Sequence, residues 1–202
     1  ATDPDALCLA SDRTMNRILA DALAFQGFCQ GQSWKFCFIG GLALQWWGEP
    51  RMTQDADLTL LTGFGQEAAY VDRILERFEP RVEEGRAFAL RHRVLLLRGL
   101  QGTPLDVALG AMPFEERCVE RAGERDIDKK CQLRICSAED LVVHKAFADR
   151  PQDWLDIESI LLRQGGRLRW ELIWEELTPL AELKEQPSIL DRLRDLQRTP
   201  RS

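Results

Sequence analysis

Apolar side chains at Met15, Ile18, Leu19, Ala22, Leu23 and Phe25 recur at helical spacing, which predicts an amphipathic helix over residues 11–28 that ends near Gly27. The apolar run over residues 36–39 predicts a short buried strand, stopped by Gly40 and Gly41. A helical pattern restarts over residues 42–47 and closes at Gly48 and Pro50, and residues 57–61 predict a second strand. A helix over about residues 66–78 follows. Residues 88–100 alternate loosely with basic positions, turn over residues 101–104 and resume over residues 105–109, which predicts an antiparallel strand pair. A charged loop is expected over residues 123–130, then another strand over residues 131–136.

From there the pattern is helical. Ser137 stands ahead of Ala138, Glu139 and Asp140, so its hydroxyl can cap a helix whose first turn carries acids. Helical spacing then runs over residues 141–148, 154–163, 170–184 and 189–196, with breaks at Pro151, at Gly165 with Gly166, and at Pro187. The fold class is α+β: a mixed α/β core over residues 1–136, including the N-terminal helix, followed by a helical subdomain over residues 137–202. The chain shows no internal repeat and no low-complexity segment.

Composition narrows the function classes. With 202 residues, 45% of them hydrophobic and 30% charged, the chain can bury a substantial core. A net charge of −6 and a pI near 5.1 argue against nonspecific coating of nucleic acid, which depends on broad neutralisation of phosphates. Arg163, Arg167 and Arg169, and again Arg192, Arg194, Arg198 and Arg201, form local basic clusters that suit either a solvated helix face or a surface for a polyanion. The six cysteines, Cys8, Cys29, Cys37, Cys118, Cys131 and Cys136, show no CxxC spacing, and a core of this size does not need disulfides. They are expected to be reduced thiols. The first ten residues lack a basic region followed by an apolar stretch, and no segment approaches the ~20 apolar residues of a bilayer span, so a cytoplasmic location is expected, without membrane contact.

The chemistry concentrates in FIGGLALQWWGEPRMTQDADLTL, residues 38–60. Asp55 and Asp57 stand two apart at the start of an expected strand, where alternation turns both carboxylates the same way. Such a pair repels itself unless a cation neutralises it, and a hard divalent ion with oxygen ligands is the natural partner. Chance also places acids two apart in a chain with 33 of them. Gly40 and Gly41 suit either a tight strand-to-helix turn or a backbone that approaches a phosphate at a helix start. Asp106 opens the apolar run LDVAL, as a surface acid at a strand start or as a third carboxylate. Neighbouring strands lie about 4.8 Å apart, so adjacency of the two strands would bring all three acids together. Trp46, Trp47, Trp170 and Trp174 sit at helical positions as packing anchors, and His92 and His144 have no ligand-like partners in the sequence.

The order Gly40-Gly41, then Arg51-x-Thr53-x-Asp55-x-Asp57, then Asp106 on a later strand resembles the nucleotidyltransferase superfamily typified by DNA polymerase beta. SAEDLVVHKAFADRPQDWLDIESIL, residues 137–161, is similar to the lysine helix and D-x-x-D helix of the AbiEii type IV toxin branch. The resemblance covers about residues 36–165 and implies a nucleotidyltransferase-fold mixed sheet with flanking helices. It implies that Asp55, Asp57 and Asp106 hold Mg²⁺ or Mn²⁺, with Asp106 also orienting or deprotonating the acceptor hydroxyl. Lys145 would reach the triphosphate, Asp153 and Asp156 would stand at the D-x-x-D positions and position the lysine or the acceptor, and Arg51 and Thr53 would steady the loop ahead of the carboxylates, with Arg51 also touching phosphate. From the residues alone, Lys145 equally suits a solvated helix face and Asp153 an N-cap for a helix from Trp154. Gly41 stands where many superfamily members carry serine.

The function expected is transfer of a nucleoside monophosphate from an NTP to a hydroxyl on RNA such as tRNA, on protein or on a small molecule. The protein would be an NTP-dependent two-metal-ion enzyme, with a toxin paired to a cognate antitoxin ahead of an antibiotic-modifying enzyme. The rival is a catalytically silent nucleotide- or partner-binding protein of the same fold.

Overall fold

The computed structural model describes residues 4–126 and 131–198, with side chains from Thr14 onward; the Cys8 side chain, Arg201 and residues 127–130 of the expected charged loop lie outside the described residues. The chain divides into two compact units, one formed by Ala1–Leu42 and Met52–Ile135, the other by Ala43–Arg51 and Cys136–Ser202.

The first unit opens with helix α1, Pro4–Gly31, longer at both ends than its periodicity suggests. Strand β1, Phe36–Phe38, leads into α2, Gly40–Trp47, whose later residues belong to the second unit. Strand β2 is Ala56–Leu61, α3 is Glu67–Leu75 and β3 is the two-residue strand Glu79–Pro80. Helix α4, Gly85–His92, precedes strands β4, Val94–Arg98, and β5, Pro104–Gly110. Helix α5, Pro113–Arg121, then leads to β6, Gly123–Asp126, and β7, Gln132–Ile135. The strands form one mixed sheet in the order β3-β4-β5-β2-β1-β7-β6. β2 runs parallel to β5 and β1 parallel to β7, and the remaining neighbours are antiparallel.

Alternation along the central strands explains the sheet. Ala56, Leu58 and Leu60 of β2 and Leu105, Val107 and Leu109 of β5 are buried, so their odd-phase neighbours, Asp57 and Asp106 among them, take the other face. Phe25 and Phe28 of α1 pack on Phe78, with ring centroids 5.1 and 5.5 Å apart. Asp21, buried on the same helix, accepts from the N–H groups of Gln101 and Thr103 at 2.7 and 3.0 Å. One buried carboxylate thereby shapes the β4–β5 turn. Burial pushes the Cys29 thiol up to about 12, and Cys37 on β1 lies 3.8 Å, sulfur to sulfur, from Cys118 on α5. Cys29, Cys37, Cys118, Cys131 and Cys136 are not joined in disulfides.

Two expectations are corrected in this unit, and one helix is added. Residues 88–92 are helical rather than extended: the Phe88 and His92 rings pack one turn apart at 4.5 Å, and the chain reverses at Arg93 with φ 54°. That left-handed residue is held by its guanidinium, which pairs with Glu67 and donates to the Leu109 carbonyl. Residues 123–126 form β6 against β7 rather than a loop. Helix α5 has no counterpart in the periodicity, although Pro113 at its first position and Glu115, which accepts from the Ala111 and Met112 N–H groups at 2.8 Å each, are ordinary start signals.

The second unit is helical. Besides residues 43–51 it contains α6, Ala138–Ala148; α7, Pro151–Gln164; α8, Trp170–Leu183; and α9, Ser188–Arg198. Ser137 caps α6 as expected, accepting from the Asp140 N–H at 3.1 Å. Pro151 begins α7 rather than separating helices, because proline's missing N–H costs nothing in a first turn. Asp153 is therefore inside α7 and is not its N-cap. The Trp170 and Trp174 rings stack 5.9 Å apart on α8, half-buried. Most of the described clustered arginines are tied down: Arg163 to the Gly48 carbonyl, Arg169 to Glu139, Arg192 over the Trp154 ring and Arg194 to Asp191. No helix among the described residues is long and apolar enough to cross a membrane.

Candidate active site

The first unit gathers most of the expected residues around the start of α2. Asp57 and Asp106 are register partners on the adjacent parallel strands β2 and β5, so their side chains emerge side by side on one face of the sheet. Asp55 lies one residue ahead of β2 in a bend, not in the strand. Its carboxylate accepts from the Thr53 hydroxyl at 2.9 Å, so buried Thr53 holds Asp55 much as a first-turn cap holds a helix. Asp55, Asp57 and Asp106 are each partly exposed.

The two glycines have separate reasons to be glycine. Gly40 has φ 59°, and a Cβ there would lie 2.1 Å from Asp57 Oδ2. The Ile39 N–H donates to the Asp57 carbonyl at 2.9 Å, which locks the turn onto β2. A Cβ at Gly41 would lie 2.4 Å from Thr53 Oγ1. The Thr53 side chain thus fills the space a serine at Gly41 would need, and its hydroxyl is spent on Asp55. Gly40→Ala should cost about 1–2 kcal/mol for the left-handed backbone alone and also displace the Asp57 carboxylate. A lowered melting temperature with weakened nucleotide binding is expected; a variant matching the wild type in both would remove Gly40 from the site.

These donors fit a hard divalent cation in kind, being carboxylate oxygens beside a glycine turn that lets backbone come close. They are not gathered around one point: among the described residues no three His, Cys, Asp or Glu side chains are close enough to hold one ion. Asp106 is engaged by a cationic side chain, its Oδ1 being paired with Arg81 Nη2. Arg81 escapes a reading of the sequence, since nothing in Glu79-Pro80-Arg81 marks it and only strand pairing brings it to Asp106.

The second unit holds the other expected residues in one buried charge network. Lys145 of α6, 6% exposed at its side chain, donates to Asp156 Oδ2 at 2.6 Å and Asp153 Oδ1 at 3.2 Å. Arg51 grips Asp156 with both ends of its fork, at 2.9 Å each, and Gln152 adds a contact at 3.0 Å. Arg150 pairs with the other oxygen of Asp153 at 2.7 Å. Burial alone would raise the Asp156 carboxyl, but the hydrogen bonds from Arg51, Lys145 and Gln152 outweigh it and hold the group below its ordinary range. Lys145 is thus neither a solvated helix residue nor a loose cation. The Arg51 guanidinium braces Asp156.

The family model for the AbiEii nucleotidyl transferase toxin of type IV toxin–antitoxin systems matches residues 26–196. The chain belongs to the AbiEii family. An antigenic nucleotidyltransferase-like protein from Paracoccidioides brasiliensis superposes with a TM-score of 0.53 at 14% identity, over 90% of this chain and 94% of that one. The antibiotic-resistance factor ANT(2'')-Ia gives 0.49 at 15% identity over 86% and 92%. The lincosamide antibiotic adenylyltransferase LnuA, bound to lincomycin, gives 0.49 at 14% over 70% of this chain and 94% of its own. None of the curated proteins matches the chain. AbiEii membership and the mixed sheet agree with the resemblance read from residues 36–165, and the family is one of nucleotidyl transferases.

Proposed function

We propose that this AbiEii-family chain transfers a nucleoside monophosphate from an NTP to an acceptor hydroxyl. The acceptor oxygen bonds to the α-phosphorus, the bond to the bridging oxygen breaks, pyrophosphate leaves, and the hydroxyl proton passes to a carboxylate or to solvent. The observation that carries the reading is the in-register Asp57–Asp106 pair beside the Gly40 turn at the start of α2. Asp55, Asp57 and Asp106 would hold Mg²⁺ or Mn²⁺, which when bound neutralises phosphate charge and activates the hydroxyl. Within the chain, Gly40 and Gly41 let the start of α2 come close to phosphate oxygens. Thr53 fixes Asp55, and Asp106 orients the acceptor hydroxyl and draws off its proton. For residues 137–202, proposed as a helical subdomain after a core over residues 1–136, the family resemblance assigns Lys145 to the triphosphate, with Asp153 and Asp156 positioning the lysine or the acceptor; Arg51 is assigned to the loop ahead of the carboxylates and to phosphate.

RNA, tRNA in particular, is the acceptor we propose, and the toxin–antitoxin family supports a cognate antitoxin as the partner. Use of cellular NTPs suits the cytoplasm. One observation favours the silent alternative, the engagement of Asp106 by Arg81. The purified protein, incubated with each α-labelled NTP, Mg²⁺ or Mn²⁺, and total tRNA or lysate, should pass label to an acceptor. Label confined to NTP with every acceptor pool would establish the silent reading instead.

A further inference from the structure

The contact that engages Asp106 is itself well built. Arg81 follows β3 at the sheet edge, and its own N–H donates to the Leu96 carbonyl at 2.8 Å. Its Nε donates to the Leu97 carbonyl at 3.0 Å, and its Nη2 continues across β4 to Asp106 Oδ1 on β5. Leu96 is the register partner of Asp106, so the guanidinium is guided to the carboxylate by the strand between them. A surface arginine chosen at random lacks this anchorage.

Exposure sets how firmly the pair holds. The side chains of Arg81 and Asp106 are 29% and 31% exposed, and ion pairs open to water to this degree shift an equilibrium by only about twofold to fivefold. The pair is strong enough to engage Asp106 beside its register partner Asp57, and weak enough for a divalent cation to break. Once Nη2 is released, the Nε contact to Leu97 keeps the fork beside the cluster, where two free N–H edges suit phosphate oxygens.

We infer that Arg81 is a positioning residue that exchanges partners, serving as counter-ion to Asp106 before loading and as a donor to the nucleotide's phosphates once a divalent cation has taken that carboxylate. This inference rests on the nucleotidyltransferase reading. It makes the Arg81–Asp106 pair one of two arrangements of a working site, rather than the mark of a defunct one.

Direct binding measurements test it without turnover. Mn²⁺ binding to the full chain is followed by electron paramagnetic resonance, first without nucleotide and then with α,β-methylene NTP as a non-reacting probe. Arg81→Ala should tighten Mn²⁺ alone about threefold to fivefold and weaken the Mn²⁺-dependent binding of the analogue by a similar factor. Arg81→Lys, which keeps charge but loses the fork, should fall between. In an Asp106→Asn background, Arg81→Ala should leave Mn²⁺ affinity unchanged within about twofold, because Arg81 acts through that carboxylate. Circular dichroism establishes that each variant is folded. Unchanged Mn²⁺ affinity in folded Arg81→Ala, or an equal gain in the Asp106→Asn background, overturns the exchange while leaving the enzyme reading intact. A wild-type protein that binds neither Mn²⁺ nor the analogue and transfers no label overturns both.

Discussion

Asp57→Asn is expected to lower nucleotidyl transfer by at least about three orders of magnitude, the scale of the several kcal/mol that metal-borne charge stabilisation contributes. The substitution keeps size and most hydrogen bonding, and removes the charge from the carboxylate shared by the Gly40 turn and the Asp106 register pair. Metal-dependent nucleotide binding should fall with it. Asp106→Asn should abolish transfer while leaving much of the nucleotide binding, because this carboxylate serves the attacking hydroxyl. Single-turnover transfer measured beside equilibrium binding of a labelled NTP separates the two. Equal loss of binding in both variants would count against a division of labour between the strands, and transfer retained by Asp57→Asn would refute the carboxylate mechanism.

Lys145→Met should destabilise the protein by about 3 kcal/mol, because a buried cation is removed while Asp153 and Asp156 stay buried at its former contacts. Arg51, Gln152 and Arg150 still serve the two acids, which keeps the loss at the lower end for a broken buried pair. For a chain of this length that corresponds to a melting temperature lower by roughly 6–12 °C. Trp154, buried on α7 with its Nε1 bonded to Asp149 at 2.6 Å, makes fluorescence a local reporter of the transition. A Lys145→Met melt superimposable on the wild type would show that the lysine is held for its charge and not for stability.

The same network sets an acid limit. The Asp156 carboxyl lies below its ordinary value in the folded protein, so protons bind it more readily when unfolded. The stability it contributes is therefore full above about pH 4, the ordinary carboxylate range, and is lost as pH falls from there through the folded value. Asp156→Asn should accordingly lie well below the wild type in stability at neutral pH, and the two should converge in acid.

Much of the fold was legible because it is local. The phase of Phe25, the alternation of Leu58 with Leu60 and of Leu105 with Leu109, and the Ser137 cap depend on residues within a turn or a strand. The 88–92 segment was not legible, because its basic and apolar positions satisfy a loose alternation as well as a helical turn. What decides between them is Arg93, whose left-handed conformation depends on Glu67 and the Leu109 carbonyl far along the chain. Strand β6 likewise needs β7 to satisfy its backbone.

The sequence by itself determined the candidate chemistry: Asp55 and Asp57 two residues apart behind a glycine pair, a third acid in an apolar strand, and a lysine helix followed by D-x-x-D. Those are matters of residue type and short spacing. Only the tertiary structure decided that Asp57 faces Asp106 in register, that Thr53 occupies the space a serine at Gly41 would need, and that Lys145 is held by two buried carboxylates. It alone decided that Arg81 holds Asp106. Strand order and helix packing join residues dozens of positions apart, and charges at such separations find their partners through the backbone that carries them, for which local spacing holds no signal.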